Sequence, residues 1–285
     1  MGLKVKKYLE SVEEFLDIAI NGKSHLSDAY RSSRRIEDGR EEFAATKTFE
    51  EAKDMAINGW KEGCDKMKDV TAQIDCVVAS KKLTTQVVYD TVGACPDVGR
   101  FLQGIPDSMM SFDPVESNGS GKILSIVVNG TASGYVKCEE MIMRGAAICS
   151  LIQGFYEMGY SCEIFYVESL AGEWGVGGEG FELRFPIKKS SDPLEIDRIA
   201  FMIANPSMLR RMVFSFDETL GKEIVDYFGF NSNGGYGSPK EIPEDSDRGD
   251  IYIPIIQGGD PCWSNFKKAS EWVLEQLKIK QHDNY

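Results

Sequence analysis

The feature that most constrains this chain is KILSIVV, a run at 122–128 with few polar positions. A half-wet strand would alternate. A run like this suits a strand buried on both faces, as in a parallel sheet. A loop of small residues follows, NGTASG at 129–134, and then an apolar stripe at helical spacing: Met141, Ile142, Ala146, Cys149 and Ile152. The stripe predicts a helix over 136–158 that ends at Gly159. SCEIFYV at 161–167 is the next predicted strand. Strand, loop, helix and strand in that order form a βαβ unit with a right-handed crossover.

The pattern continues beyond that unit. A strand is predicted at 182–187, behind a glycine-rich loop at 172–180. Helices are predicted at 193–202, 207–214 and 217–228, followed by a polar loop at 231–250. IYIPII at 251–256 reads as a late strand whose Pro254 marks an end or an edge. An amphipathic helix at 264–277 closes the series. Such alternation predicts a three-layer, mainly parallel α/β sheet over 83–285. Within 83–120 the signals are weak: a β-prone stretch at 86–89, two prolines, and a flexible SNGSG turn at 117–121.

Residues 1–82 read as a helical N-terminal region packed on the main domain, because no linker separates the two. The region contains an echo: SVEEFLDIAING at 11–22 and TFEEAKDMAING at 48–59. Each copy opens with a capping box, Ser11 with Glu14 and Thr48 with Glu51. Each closes on Asn-Gly, whose glycine can take the left-handed conformation that ends a helix.

The net charge of −13 disfavours direct nucleic-acid binding, since phosphates need cationic neutralisation. The local basic clusters, Arg31, Arg34 and Arg35 and the pair Arg210 and Arg211, read as solvated helix faces. Seven cysteines without a CxxC read as reduced thiols of a cytoplasmic protein. Neither a secretion signal nor a membrane span is visible.

The loop after the first main strand resembles the metal loop of von Willebrand factor A-type domains. In that family the first strand ends in Asp-x-Ser-x-Ser, whose oxygens hold magnesium. Here Asn129, Gly130, Thr131, Ala132 and Ser133 occupy those places. The family also uses an Asp after a later strand, for which Asp260 is the nearest candidate, displaced from the usual turn. Asn129 brings a carbonyl but no charge, and magnesium favours carboxylate. The resemblance therefore implies a degenerate site, with weak candidates Asn129, Thr131, Ser133 and Asp260 and at most weak magnesium. No other cofactor is expected. The phrases FEEAKDMAINGW at 49–60, VYDTVGACPDVGRFLQG at 88–104 and NPSMLRRMVF at 205–214 are also similar to an uncharacterised domain of bacteriophage proteins. That similarity implies a bacterial host cytoplasm, or association with a virion.

Other chemistries fare worse. Gly175 to Gly180 matches GxGxxG, but a predicted strand follows where a dinucleotide loop would open a helix. The two histidines, His25 and His282, lie in polar terminal segments, which disfavours a Ser-His or Cys-His pair. Asp90, Asp97 and Asp260 are loop carboxylates that more often cap helices than converge. Tyr89 and Trp174 are the aromatic candidates for partner contact, against a core role. The function expected is a phage-encoded binding or assembly module. It would use Asn129, Gly130, Thr131, Ser133 and Asp260 at the sheet's carboxyl edge for protein contact, with self-association left open. The alternatives are a metal-dependent hydrolase, or an acidic inhibitor of a host nucleic-acid-binding or defence protein.

Overall fold

A computed structural model describes residues 3–36, 39–65, 72, 86–92, 95–113, 123–157, 160–171 and 180–282. Its strands are β1 (Lys4–Tyr8), β2 (Gln86–Asp90), β3 (Cys95–Pro96), β4 (Met109–Asp113), β5 (Ile123–Asn129), β6 (Ser161–Ala171), β7 (Gly180–Lys188), β8 (Ser238–Pro239) and β9 (Ile251–Ile253). Its helices are α1 (Val12–Asn21), α2 (Arg40–Ala44), α3 (Phe49–Asn58), α4 (Val98–Leu102), α5 (Cys138–Glu157), α6 (Ile196–Ala204), α7 (Phe214–Asp217), α8 (Lys222–Phe228) and α9 (Phe266–His282). A buried π-helical segment, Met208–Val213, runs directly into α7.

The main sheet has six strands in the order β1-β7-β6-β5-β9, with β8 added to β6. It is mainly parallel: β1 with β7, β6 with β5, and β5 with β9. β7 and β8 run antiparallel to β6. Strands β2, β4 and β3 form a separate antiparallel sheet. The mixed α/β class read from the sequence is thus observed.

The expectation of three layers needs correction. Buried side chains of α1, α3, α5, α6, α8 and α9 join a single cluster with Leu124, Ile126 and Val128 of β5. At its centre Phe15 of α1 stacks on Phe185 of β7 at 4.3 Å, and Phe185 lies 5.2 Å from Tyr166 of β6. Each such ring contributes roughly 1.5–3 kcal/mol by leaving water. The other face carries a second, small cluster, Val127, Val167 and Ile242, with Phe165 and Tyr252 against it. Among the described residues no helix covers that face; Ile242 comes from the polar loop. The strands put polar side chains on that face, Ser125, Glu163, Ser169, Glu182 and Arg184, among a few apolar ones.

In the N-terminal region α1 lies against β7 and α7, and α3 against α6. It is not wholly helical, however. KVKKY forms β1, a parallel edge strand on β7 in register from Lys4 opposite Gly180. Its lysines hide the alternation from a hydropathy reading while protecting the sheet edge. The echo is real down to its hydrogen bonds. Ser11 and Thr48 accept from the amides of Glu14 and Glu51 at 3.1 and 3.2 Å. The two glutamates accept in return from the amides of Glu10 and Lys47, each at 2.8 Å. The copies part at their ends: Gly59 has φ +84°, whereas Gly22 has φ −62° and is not left-handed.

The late strand stops at Ile253, because Pro254 brings no N–H to continue the ladder. Ile256 instead makes an isolated parallel bridge to Ala132. No described helix is long and apolar enough to cross a membrane.

Candidate functional site at the carboxyl edge of the sheet

From β5 the chain moves to β6 and β7 on one side of the sheet, and later to β9 on the other. Ligands of open α/β sheets bind where the order reverses in this way, outside the carboxyl ends of the strands. Asn129 ends β5 at that point and is fully buried. Its Oδ1 accepts from the Thr131 amide at 3.1 Å. Its Nδ2 donates to the Lys240 carbonyl at 3.1 Å and to Tyr252 Oη at 3.0 Å. Thr131 Oγ1 accepts from the Ser169 amide at 3.0 Å, and Ser133 Oγ from the Tyr135 amide at 3.4 Å. Gly130 is required sterically, since an added Cβ would sit 2.1 Å from the Tyr166 ring.

Two further features close the crevice. The Ser133 amide donates to the Ile256 carbonyl at 3.4 Å, and the Ile256 amide to the Thr131 carbonyl at 3.3 Å. From the helical side, Arg144 Nη2 donates to the carbonyls of Asn129 and Pro254 at 2.8 and 2.7 Å. Burial lowers the Arg144 guanidinium to about 10. Asn129 is therefore a donor built into a knot, a role that Asp could not fill.

The loop does not fit the magnesium implied by the von Willebrand resemblance. Its three side-chain oxygens are each turned to a separate backbone amide. Asp260 Oδ1 accepts from the Cys262 amide at 2.9 Å, capping the short turn Pro261–Trp263. Among the described residues no group of three His, Cys, Asp or Glu could hold a metal ion. Asp97 caps α4 through the Arg100 amide at 3.1 Å, and Asp90 accepts from the Thr91 amide next to it. The Arg100 guanidinium lies over the Tyr89 ring at 4.1 Å. Trp174 falls outside the described residues, as does most of the GxGxxG stretch, although Gly180 opens β7 and so leads into a strand.

Two residues that sequence reasoning passed over carry more chemistry. Glu168, on β6 just beyond the predicted strand end, is 1% exposed, and Asp217, at the end of α7, is 0% exposed. They lie near enough for each to shift the other's titration. Burial lifts Glu168 to about 8. Burial, then the nearby charge of Glu168, lifts Asp217 well above the carboxylate range. Both carboxyls therefore stay neutral where ordinary ones ionise, because two so near one another cannot both carry charge. Burial and then Glu168 also push the neighbouring Tyr166 phenol up. Glu168 lines a cavity of about 270 Å³ together with Thr131, Gly134, Arg210, Ser232 and Tyr236. The sequence signal for Glu168 was an acid inside an apolar strand run, and for Arg144 a cation inside an apolar helical stripe.

The basic clusters are not solvated faces. Arg31, Arg210 and Arg211 are buried, at 9%, 2% and 0% exposure. Arg31 Nε meets Glu218 at 2.9 Å, and the Arg34 guanidinium sits 3.4 Å over the Phe49 ring. Arg211, in the π-helical segment, donates to the carbonyls of Ser33, Arg35, Thr46 and Lys47 at 2.8–2.9 Å. Arg210 donates to the carbonyls of Phe43 and Val136. These guanidiniums fasten the N-terminal segment to the π-helical segment. Cys138 Sγ donates to the Glu42 carbonyl at 3.0 Å, and burial pushes the Cys162 thiol up to about 11.

A family model described as Domain of unknown function (DUF7192) matches residues 3–281, so the chain belongs to that family. No curated protein and no solved structure matches the chain.

Proposed function

We propose that this DUF7192 chain is a binding module of von Willebrand A-type descent that presents the carboxyl edge of its sheet to a protein partner. The strand–loop–helix–strand order and the position of Asn129–Gly130–Thr131 at the reversal point support that descent. The single helical layer marks how far the chain departs from it. The observation that carries the binding reading is Tyr135. It is 92% exposed at the tip of a loop whose other side chains are tied inward. A large ring held in water on a rigid support suits a contact anchor, since aromatics dominate interface energies. The backbone bridge to Ile256 joins this tip to the turn carrying Asp260, so the two form a continuous surface.

The phage similarity would make the partner a phage or host protein. Metal-dependent hydrolysis draws no support from the loop, whose oxygens are separately engaged. An acidic inhibitor rests on the net charge and the phage similarity alone.

Photo-crosslinking in the native cells tests the reading, with a photoreactive residue placed at Tyr135 and, as a control, at Lys222. A discrete adduct at 135 that is missing at 222 is the expected result. If position 135 yields no adduct above the control, the carboxyl edge is not the contact surface.

A further inference from the structure

We propose that the cavity beside Glu168 is a binding site for a compact organic oxyanion, a carboxylate or phosphate group on a short apolar body. This goes beyond partner contact and does not depend on it.

Size comes first. At about 270 Å³ the space holds roughly nine water volumes of about 30 Å³, enough for a small metabolite and too little for a dinucleotide. Its wall is divided. Leu170, Leu209 and Phe214 supply an apolar side, and Arg210, Ser232 and Glu168 a polar one.

Charge selects the ligand's sign. Arg210 is 2% exposed and donates to two backbone carbonyls and the Cys138 sulfur; no carboxylate pairs with it among the described residues. Arg211, next in sequence, also donates to carbonyl oxygens. A buried guanidinium without a counter-charge is costly, and an anion in the cavity would offset that cost. A cationic ligand or a metal ion would add to it.

Unmet hydrogen bonds point the same way. Glu168 Oε2 and Ser232 Oγ are buried and have no partner among the described residues. Buried polar atoms in native proteins nearly always have one. A neutral Glu168 carboxyl and the Ser232 hydroxyl are both donors, and an oxyanion accepts from donors. The stacked ring pair Phe214 and Tyr236, 3.8 Å apart, stiffens the adjoining wall.

The full-length chain is titrated calorimetrically at pH 6.5 with butyrate, with inorganic phosphate and with the neutral isostere butyramide. Gly134→Phe and Ser232→Leu are the blocking variants. Gly134 lines the cavity, has open space where a Cβ would stand and lacks a positive φ, so a ring can be added at the cavity wall without straining the backbone. The expected result is saturable heat from butyrate or phosphate at millimolar concentration and none from butyramide. Either blocking variant, if its melting temperature is unchanged, should lose that heat. Butyrate without phosphate would identify a carboxylate ligand, and the reverse a phosphate ligand. The proposal is overturned if butyramide binds as well as butyrate, if neither anion binds, or if both folded blocking variants bind as the wild type does.

Discussion

Two interiors lie side by side beneath the same helices. One is apolar: Ile126, Tyr166, Phe185 and Phe15 between β5–β7 and α1. The other is polar: Arg31, Arg210, Arg211, Glu168, Asp217 and Glu218 around the π-helical segment and α7. In the first, stabilisation scales with area, and neighbours can relax around a change. In the second it depends on partners. Adjacent residues show the contrast. Glu218 is fully buried yet accepts from Arg31, from the Ser33 amide and hydroxyl, and from Tyr236. Asp217, one position earlier, has no described donor on either oxygen and meets its burial by keeping a proton. A polar interior can thus hold a segment in place, or hold chemistry in reserve, within one helical turn.

The comparison breaks most sharply at Arg211. Arg211→Ala strands the carbonyls of Ser33, Arg35, Thr46 and Lys47 without their donor. We expect a loss of about 5 kcal/mol, at the upper end for a broken buried charge network. Phe15→Ala, in the apolar interior, should cost less, about 3–4 kcal/mol, because that site can partly collapse. Urea denaturation of both variants decides the order, and a larger loss at Phe15 would invert the comparison.

Asn129→Asp comes next. The change removes two donated hydrogen bonds, to Lys240 and Tyr252, and buries a charge among acceptors. About 2–3 kcal/mol of destabilisation should follow, with no gain in magnesium affinity by calorimetry. Tight magnesium binding by this variant would restore the metal-loop reading.

The apolar interior was legible in the sequence, because periodicity reports it directly: KILSIVV, SCEIFYV and the stripe from Met141 to Ile152 all became the elements they predict. The paired capping boxes were legible for the same local reason. The polar interior was not. Arg210 and Arg211 look like any surface pair until a π-helical turn and a returning N-terminal segment surround them. Asn129 looked like a worn metal ligand because its donor role depends on Lys240 and Tyr252, more than a hundred positions away. β1 was hidden for a related reason, since its partner β7 lies far along the chain.

The smallest expected effect concerns Asp217→Asn. An amide replaces a carboxyl that is already neutral, so at pH 4, before the unfolded carboxyl has released its proton, stability should change by less than about 1 kcal/mol. Its signature is in the pH dependence. Glu168 and Asp217 titrate higher in the folded chain than in the unfolded one. From the ordinary carboxylate value of 4.5 up to about 8 the folded chain keeps a proton that the unfolded chain has released. Stability is therefore fully present below that window and falls as pH rises through it, by at most about 1.4 kcal/mol per pH unit for one proton. Asp217→Asn should flatten the fall, as read from urea midpoints across pH 5 to 8.

The most direct test of the retained proton is a ¹³C NMR titration that follows the side-chain carboxyl carbon of Glu168 in the wild-type chain. The account predicts a resonance that stays in the protonated position through neutrality and titrates at about 8. A resonance that titrates near 4.5, as an ordinary glutamate does, would contradict it.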